Sequence, residues 1–395
     1  SMAPVMATTA PVFAANALDM ADAKELPAAT QKRLRFDESK LAVCLDGIAQ
    51  LIALPDPNGR VLMQTLLDDG LLLKKVSCPI GVIGVIFEAR PDALVQISTL
   101  CIKSGNCCLL KGGSETANTN AKLFEIILTA AMEAGLPEGS LGLLQSRQDV
   151  RDMLGLNGYI DLIIPRGSNA FVQYIMNNTS IPVLGHADGI CHVYVDKDAD
   201  IAEAVRIVTD SKAQYVSVCN AAETLLVHRD IAAEALPQIA KSLNDAGVTI
   251  VGCRETCGII AVQPASEEDW KTEYLDYKIS VKIVGSAREA VEHINRYGSG
   301  HTDAIVTKNA QTAEYFMDAV DSANVYWNCS TRFADGYRYG FGAEVGISTN
   351  KIHARGPVGL DGLMIYKYKL YGSGQTAGEY ADGKKHFKHI QLPCK

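Results

Sequence analysis

One cysteine in this chain stands where a covalent nucleophile would be built. In Asp210-Ser-Lys-Ala-Gln-Tyr-Val-Ser-Val-Cys-Asn-Ala-Ala-Glu-Thr-Leu-Leu-Val-His228, Cys219 occupies a polar loop. A thiol partly open to solvent can attack an activated carbonyl there and carry it as an acyl intermediate. Backbone N–H groups of the same loop are placed to receive the oxyanion that forms. The bland alternative for any one of eleven cysteines is a small buried apolar residue. The elements that must hold the loop are legible on both sides. Ile201, Ala204, Val205 and Val208 recur at helical spacing before it, and Thr224-Leu-Leu-Val227 reads as a short interior strand after it. Cys219 is therefore expected at a helix-to-strand turn.

Composition narrows what such a thiol could serve. With 395 residues, 48% hydrophobic and 21% charged, the chain can bury a large core divided over two or three domains. A net charge of −8 and the lack of any Lys/Arg block argue against nucleic acid or an anionic membrane as partner. An anionic substrate would then need local positive groups. No apolar run approaches a membrane span, the Met/Ala/Pro-rich start lacks the basic region of a secretory signal, and Ser1-Met2 reads as a cloning remnant. The odd cysteine count forms no disulfide framework, which suits a reducing compartment, and Cys253 and Cys257 lack the second ligand pair of a zinc site. No metal is expected.

Stepping outward, short apolar strands alternate with amphipathic helices through the first half, the pattern of βαβ units and a parallel sheet. Cys107-Cys-Leu-Leu110 reads as a buried strand ending in Lys111-Gly112-Gly113, with Ser114 as N-cap of a helix carrying Ala121, Phe124, Ile127 and Leu128. Asp161-Leu-Ile-Ile164 runs into Pro165-Arg166-Gly167-Ser168 and a helix with Phe171, Ile175 and Met176. Both are strand–Gly–helix turns, whose free N–H groups and helix dipole favour an anion such as a dinucleotide phosphate. Neither is specific alone, because no Gly-x-Gly-x-x-Gly fingerprint is present, and Gly81-Val-Ile-Gly84 lies inside an apolar strand.

Between residues 59 and 76 two apolar runs flank Asp68-Asp69-Gly70, a hairpin signal. Leu363-Met-Ile-Tyr-Lys-Tyr-Lys-Leu370 reads as a late strand with one face exposed. These peripheral strands invite pairing with each other and with a second subunit. A second α/β unit starts near residue 197, with a strand at Val281-Lys-Ile-Val284 and a helix through Ala290, Val291 and Ile294. The stretch from Gly372 to Lys395 reads as polar and loosely packed.

The residues also carry a resemblance. From about Asn16 to about Gly372 the chain resembles the gamma-glutamyl phosphate reductase family of the aldehyde dehydrogenase superfamily. The most specific block runs from Val284 through Ala290, His293-Ile294, Arg296-Tyr297-Gly298-Ser299 and His301-Thr302-Asp303 to Ile305. Supporting blocks are Phe87-Glu-Ala-Arg-Pro91, Leu110-Lys-Gly-Gly113, Ile164-Pro-Arg-Gly-Ser168, Val218-Cys-Asn220 with Glu223-Thr-Leu-Leu226, Asn328-Cys-Ser-Thr-Arg-Phe333, Gly342-Ala-Glu-Val-Gly346 and His353-Ala-Arg-Gly-Pro357.

The resemblance implies NADPH-dependent reduction of L-glutamyl 5-phosphate to L-glutamate 5-semialdehyde, with Cys219 as nucleophile and the Cys219 N–H, helped by Asn220, as oxyanion donors. It implies Lys111 at the adenosine ribose or its 2′-phosphate, Gly167 and Ser168 at the pyrophosphate, and Asp276 at a ribose. Arg90, Arg166, Arg332 and Arg355 are the candidates for the substrate carboxylate and phosphate, Arg332 and Arg355 being expected beside the thiol, while a structural salt bridge is the other reading of each. Where hydrolytic aldehyde dehydrogenases carry a water-activating Glu, this chain has Leu184-Gly-His-Ala-Asp-Gly189, with His186 and Asp188 as the only candidate substitutes. Val216 stands where the family usually has Pro, and the amino-terminal helical region is shorter than usual. Residues 185–191 and the tail ending Ile390-Gln-Leu-Pro393 are closer to the reductase half of bifunctional pyrroline-5-carboxylate synthases.

The expected fold is therefore aldehyde dehydrogenase-like α/β. Residues 1–196 form a doubly wound NADP(H)-binding domain, residues 197–355 a catalytic domain carrying Cys219, and residues 356–395 a return with an oligomerisation strand that joins the 59–76 hairpin. Expected partners are the small-molecule substrate, a second copy of the chain as dimer or larger, and a glutamate kinase as partner or fused domain. The expected compartment is the cytoplasm, or a mitochondrion for a eukaryotic bifunctional enzyme. Two alternatives stay open: an oxidative NAD(P)-dependent semialdehyde dehydrogenase, and a catalytically silent assembly partner of the proline pathway.

Overall fold

The structure is a computed structural model that describes residues 3–185, 188–341, 343–351 and 353–394. His186 and Gly342 lie outside the described residues. Among the described residues the strands form four sheets.

The first is parallel, in the order Leu141–Leu144, Cys107–Gly112, Val82–Phe87, Leu162–Arg166. Its strands are apolar because helices pack on it: Ile83, Val85, Phe87, Cys108, Leu110, Leu162 and Ile164 share one core cluster with Leu94, Ile97 and Leu100 of the helix Pro91–Ser104. The helix Ala3–Asp22 docks on the helix Ala117–Glu133 through Asp19, which accepts from the Asn118 and Thr119 N–H groups at 3.1 and 2.8 Å. Asn16 bonds Thr119 at 3.2 Å and the Leu34 carbonyl at 2.9 Å.

The second sheet has seven parallel strands: Gln263–Pro264, Thr249–Gly252, Lys278–Val284, Ala222–His228, Cys191–Val195, Thr302–Val306 and Asn324–Trp327. Cys191–Val195 thus already belongs to it, so the change of sheet falls before that strand and not at 196/197. Val345, Val358, Leu360 and Leu363 rejoin the core cluster of the first sheet, which places the tail from 343 onward with the opening half of the chain.

The hairpin Val61–Asp68 and Leu71–Pro79 forms as its turn signal requires, with Gly70 at φ 68°. The late strand Met364–Tyr371 pairs antiparallel along Leu71–Pro79, and Ile390–Leu392 covers the other edge. Two expectations change here. The late strand exposes Ile365–Tyr371 on both faces, not one: among the described residues no layer covers either face, and only side chains of the neighbouring strand, such as Lys75 over the Tyr366 ring at 3.6 Å, lie against it. The tail is structured, with a short helix Ala377–Ala381 and Tyr380 stacked on Phe387 at 4.3 Å.

Two further corrections concern the first Gly turn. Cys107 is exposed at the strand's start, and the strand runs through Lys111 to Gly112. Ser114 opens a 3₁₀ turn, Ser114–Thr116, before the helix and makes no capping bond. All eleven cysteines are unpaired. No helix among the described residues is long and apolar enough to cross a membrane.

Candidate active site

Cys219 is half-buried in the 214–221 loop, between the helix Ile201–Ala213 and the strand Ala222–His228. The helix starts where Asp200 caps the Glu203 N–H at 3.1 Å and turns Ala204, Ile207 and Val208 inward. The strand is buried along its whole length between two others, so the loop leaves a rigid edge. Val216, 6% exposed, anchors the loop by burial at the position where proline rigidity was missing. The Cys191 thiol donates to the Cys219 carbonyl at 3.1 Å. Gly189 presses on the same backbone: a Cβ there would stand 2.1 Å from the Cys219 oxygen and 2.4 Å from its Cα.

Asn220 has a different task from the one expected. It is 4% exposed and donates from Nδ2 to the Ala334 carbonyl at 2.9 Å, while its own carbonyl accepts from Thr331 at 2.7 Å. It ties the loop to the Thr331–Phe333 turn. No described group accepts from the Cys219 N–H, so that donor is available to an oxyanion.

The arginines divide. Arg166, at the end of Leu162–Arg166, and Arg332, held by Gln214 at 2.9 Å, are both within electrostatic reach of the Cys219 sulfur. Burial, then Arg90, lowers the Arg166 guanidinium from its usual value; burial, then Arg338, does the same at Arg332. Arg90 and Arg166 line a cleft of about 760 Å³ with Asp92, Asp335 and Glu344. Burial raises the Glu344 carboxyl above the usual range, and Arg166 opposes that shift. Arg355 lines a second cavity instead, where it is paired with Asp321 at 3.0 Å beside Lys351. Arg166 and Arg332 therefore stand on the thiol's side, Arg90 joins Arg166 in its cleft, and Arg355 is committed to the Asp321 pair.

Directly after Arg166, the Gly167–Ser168 turn precedes the helix Asn169–Asn177. The Ser168 N–H already takes an anionic oxygen, Glu88 Oε2, at 3.3 Å. A carboxylate thus stands in for an anion at this helix N-terminus, so its donors fit a nucleotide phosphate. Lys111 is 7% exposed, within the strand, and its ammonium bonds the Gly112 carbonyl rather than solvent. Asp276 is exposed and turned onto its own loop, accepting from the Tyr277 N–H at 2.7 Å. Three residues earlier, Glu273 reaches across: it accepts from Asn169 Nδ2 and from the Gly189 N–H, each at 2.9 Å. Glu273 was not singled out in the sequence, nor was the buried pair Lys212 Nζ–Glu223 Oε2 at 2.6 Å beneath the loop. For Glu223 a signal existed: a charged residue inside an interior strand requires a buried partner.

The aldehyde dehydrogenase family model matches residues 5–252. The gamma-glutamyl phosphate reductase of Acetivibrio thermocellus is 63% identical over 361 residues, covering 91% of this chain and 84% of that one. The chain belongs to this reductase branch of the aldehyde dehydrogenase family. The gamma-glutamyl phosphate reductase of Pelotomaculum thermopropionicum is 61% identical over 383 residues, covering 96% and 88%. The crystal structure of the Thermotoga maritima gamma-glutamyl phosphate reductase superposes with a TM-score of 0.90 at 41% identity, covering 93% of this chain and 90% of that one. The fold is accordingly aldehyde dehydrogenase-like, and the expectation drawn from the sequence blocks stands.

Proposed function

We propose that the protein reduces L-glutamyl 5-phosphate to L-glutamate 5-semialdehyde with NADPH and releases phosphate, the second step of proline biosynthesis. The observation that carries the reading is Cys219 on its loop with Arg166 and Arg332 in electrostatic reach, in a chain 63% identical to a gamma-glutamyl phosphate reductase.

The Cys219 sulfur attacks the acyl carbon, the C–S bond forms, and the C–O bond to phosphate breaks. The Cys219 N–H receives the oxyanion. Arg166 and Arg332 take the charge of the departing phosphate, for which planar, permanently charged donors suit, and Arg90 extends the positive wall toward the substrate carboxylate. A nicotinamide nucleotide, when bound, supplies the hydride that brings the thioester to the aldehyde level. Cys219 then leaves as thiolate. Gly167 and Ser168 would hold the pyrophosphate and Lys111 the adenosine side. Glu273 suits a ribose hydroxyl better than Asp276, because it faces the crevice and Asp276 faces solvent. Asp188 is engaged by Asn169, which keeps it from activating water against the thioester.

The exposed strand Met364–Tyr371, with Ile365 at 45%, Tyr368 at 57% and Leu370 at 57% exposure, supports a homo-oligomer in which a second copy covers this sheet.

Because the acyl phosphate is labile, the test runs backwards: glutamate semialdehyde with NADP⁺, with and without phosphate, for wild type and Cys219→Ser. Phosphate-dependent nicotinamide reduction lost in Cys219→Ser supports the reading. Phosphate-independent reduction would instead identify an oxidative dehydrogenase, and no reduction by folded, nucleotide-binding protein a silent one.

A further inference from the structure

The buried pair beneath the nucleophile joins more than two side chains. Lys212 lies in the last turn of the helix before the loop and Glu223 is the second residue of the strand after it, and both side chains are fully buried. The pair therefore staples the base of the 214–221 loop. Glu223 does a second thing with its other oxygen: Oε1 accepts from the Leu275 N–H at 3.3 Å. Leu275 sits at φ 52°, a left-handed conformation that a leucine keeps only where its surroundings impose it. On the same residue, the Leu275 carbonyl accepts from Ser217 of the nucleophile loop at 3.4 Å. Both polar groups of one strained residue are thus used to fasten the 273–277 loop, its N–H to the strand that follows the nucleophile loop and its carbonyl to Ser217 of the loop itself. Two positions earlier, Glu273 ties that loop to Asn169 and to Gly189.

Stability alone does not account for such a pair. Burying two charges costs about what their attraction returns, and apolar replacements of similar volume are often neutral or stabilising.

We propose that Lys212 and Glu223 are positioning residues for the reaction: the pair holds the 273–277 loop against the 214–221 loop, and so sets Glu273 and Cys219 relative to each other across the crevice. The proposal rests on Cys219 being the nucleophile. Neither residue touches substrate; both act through Leu275 and the loop backbone.

The test separates positioning from mere structural support with the double variant Lys212→Met/Glu223→Leu, which fills the volume but leaves the Leu275 N–H without its acceptor. The readouts are the melting temperature and the kcat/KM for NADP⁺ in phosphate-dependent oxidation of glutamate semialdehyde. The expected result is a folded variant with near wild-type melting temperature and kcat/KM reduced at least tenfold. A folded double variant with wild-type kcat/KM overturns the proposal. If the double variant does not fold, Lys212→Met/Glu223→Met, which also removes the acceptor but fills the space with a more adaptable side chain, is judged by the same two outcomes. If wild type itself shows no phosphate-dependent turnover, the functional reading fails on its own. The positioning claim is then decided by the alkylation rate of Cys219 with iodoacetamide, read by peptide mass spectrometry: a change of threefold or more supports it, and an unchanged rate overturns it.

Discussion

Gly189→Ala is the sharpest perturbation the site offers, because it adds one methyl group and touches no chemistry. The new carbon would meet the Cys219 carbonyl oxygen at 2.1 Å, its Cα at 2.4 Å and its carbonyl carbon at 2.6 Å, where ordinary contact begins at 3.4 Å. All three atoms are backbone, so no rotamer change relieves the clash. The nucleophile loop, or the segment carrying Gly189, must move by roughly 1 Å to restore contact distances. Misplacing a reacting group by about 1 Å costs on the order of 100-fold in rate, whereas one inserted methyl costs about 1–3 kcal/mol of stability. The variant should therefore fold, melt somewhat earlier, and lose about two orders of magnitude in kcat. The assay is phosphate-dependent NADP⁺ reduction with glutamate semialdehyde, together with a thermal melt to verify folding. A folded Gly189→Ala variant with wild-type kcat would refute the reasoning, since it would mean that the Cys219 backbone tolerates displacement.

Three further outcomes follow from the same structure. Asn220→Ala removes the bond to Ala334 inside the core and should cost about 1–3 kcal/mol in urea unfolding. His293 is held down at about 2, chiefly by burial and secondarily by His192. The unfolded chain takes up a proton below about pH 6.5 that the native state refuses, so wild type should lose stability on acidification with a slope that approaches about 1.4 kcal/mol per pH unit well below that point; between about pH 7 and pH 5 His293→Leu should lose about 2 kcal/mol less than wild type in its unfolding free energy. For the proposed homo-oligomer, light scattering should give an assembly for wild type and a monomer for Leu370→Lys, with the melt of the individual subunit little changed because Leu370 is exposed within its own chain.

The turn that carries Cys219 was legible because its brackets were strong: a helix period before it and a short apolar run after it leave only a turn between them. The hairpin and the late strand were legible for the same reason, yet the double exposure of Ile365–Tyr371 was not, since alternating Tyr and Lys look alike whether or not one face has a partner. Lys111 beside two glycines reads as a strand end, and only the extension of the ladder through Gly112 buries it. Asp276 and Glu273 differ by three positions in an irregular loop, and the direction each takes is decided by Leu275 entering a left-handed conformation that no residue preference announces. Asn220, which the resemblance gives as an oxyanion donor, spends one amide N–H on a carbonyl more than a hundred residues away in sequence. Contacts of this kind are set by tertiary packing and leave no periodic trace.

The sheet that joins the hairpin to the late strand has a temporal meaning as well as a spatial one. Lys74 lies opposite Lys369, so the second hairpin strand cannot find its neighbour until nearly the whole chain has left the ribosome. During synthesis the hairpin waits with an open edge while both parallel sheets assemble. The surface that the proposed homo-oligomer would use, Met364–Tyr371, exists only once that edge is closed. In that assembly, association waits for this strand to be made: a nascent or truncated chain that has folded its nucleophile loop but not Met364–Tyr371 would lack the strand through which it could enter, and poison, the oligomer.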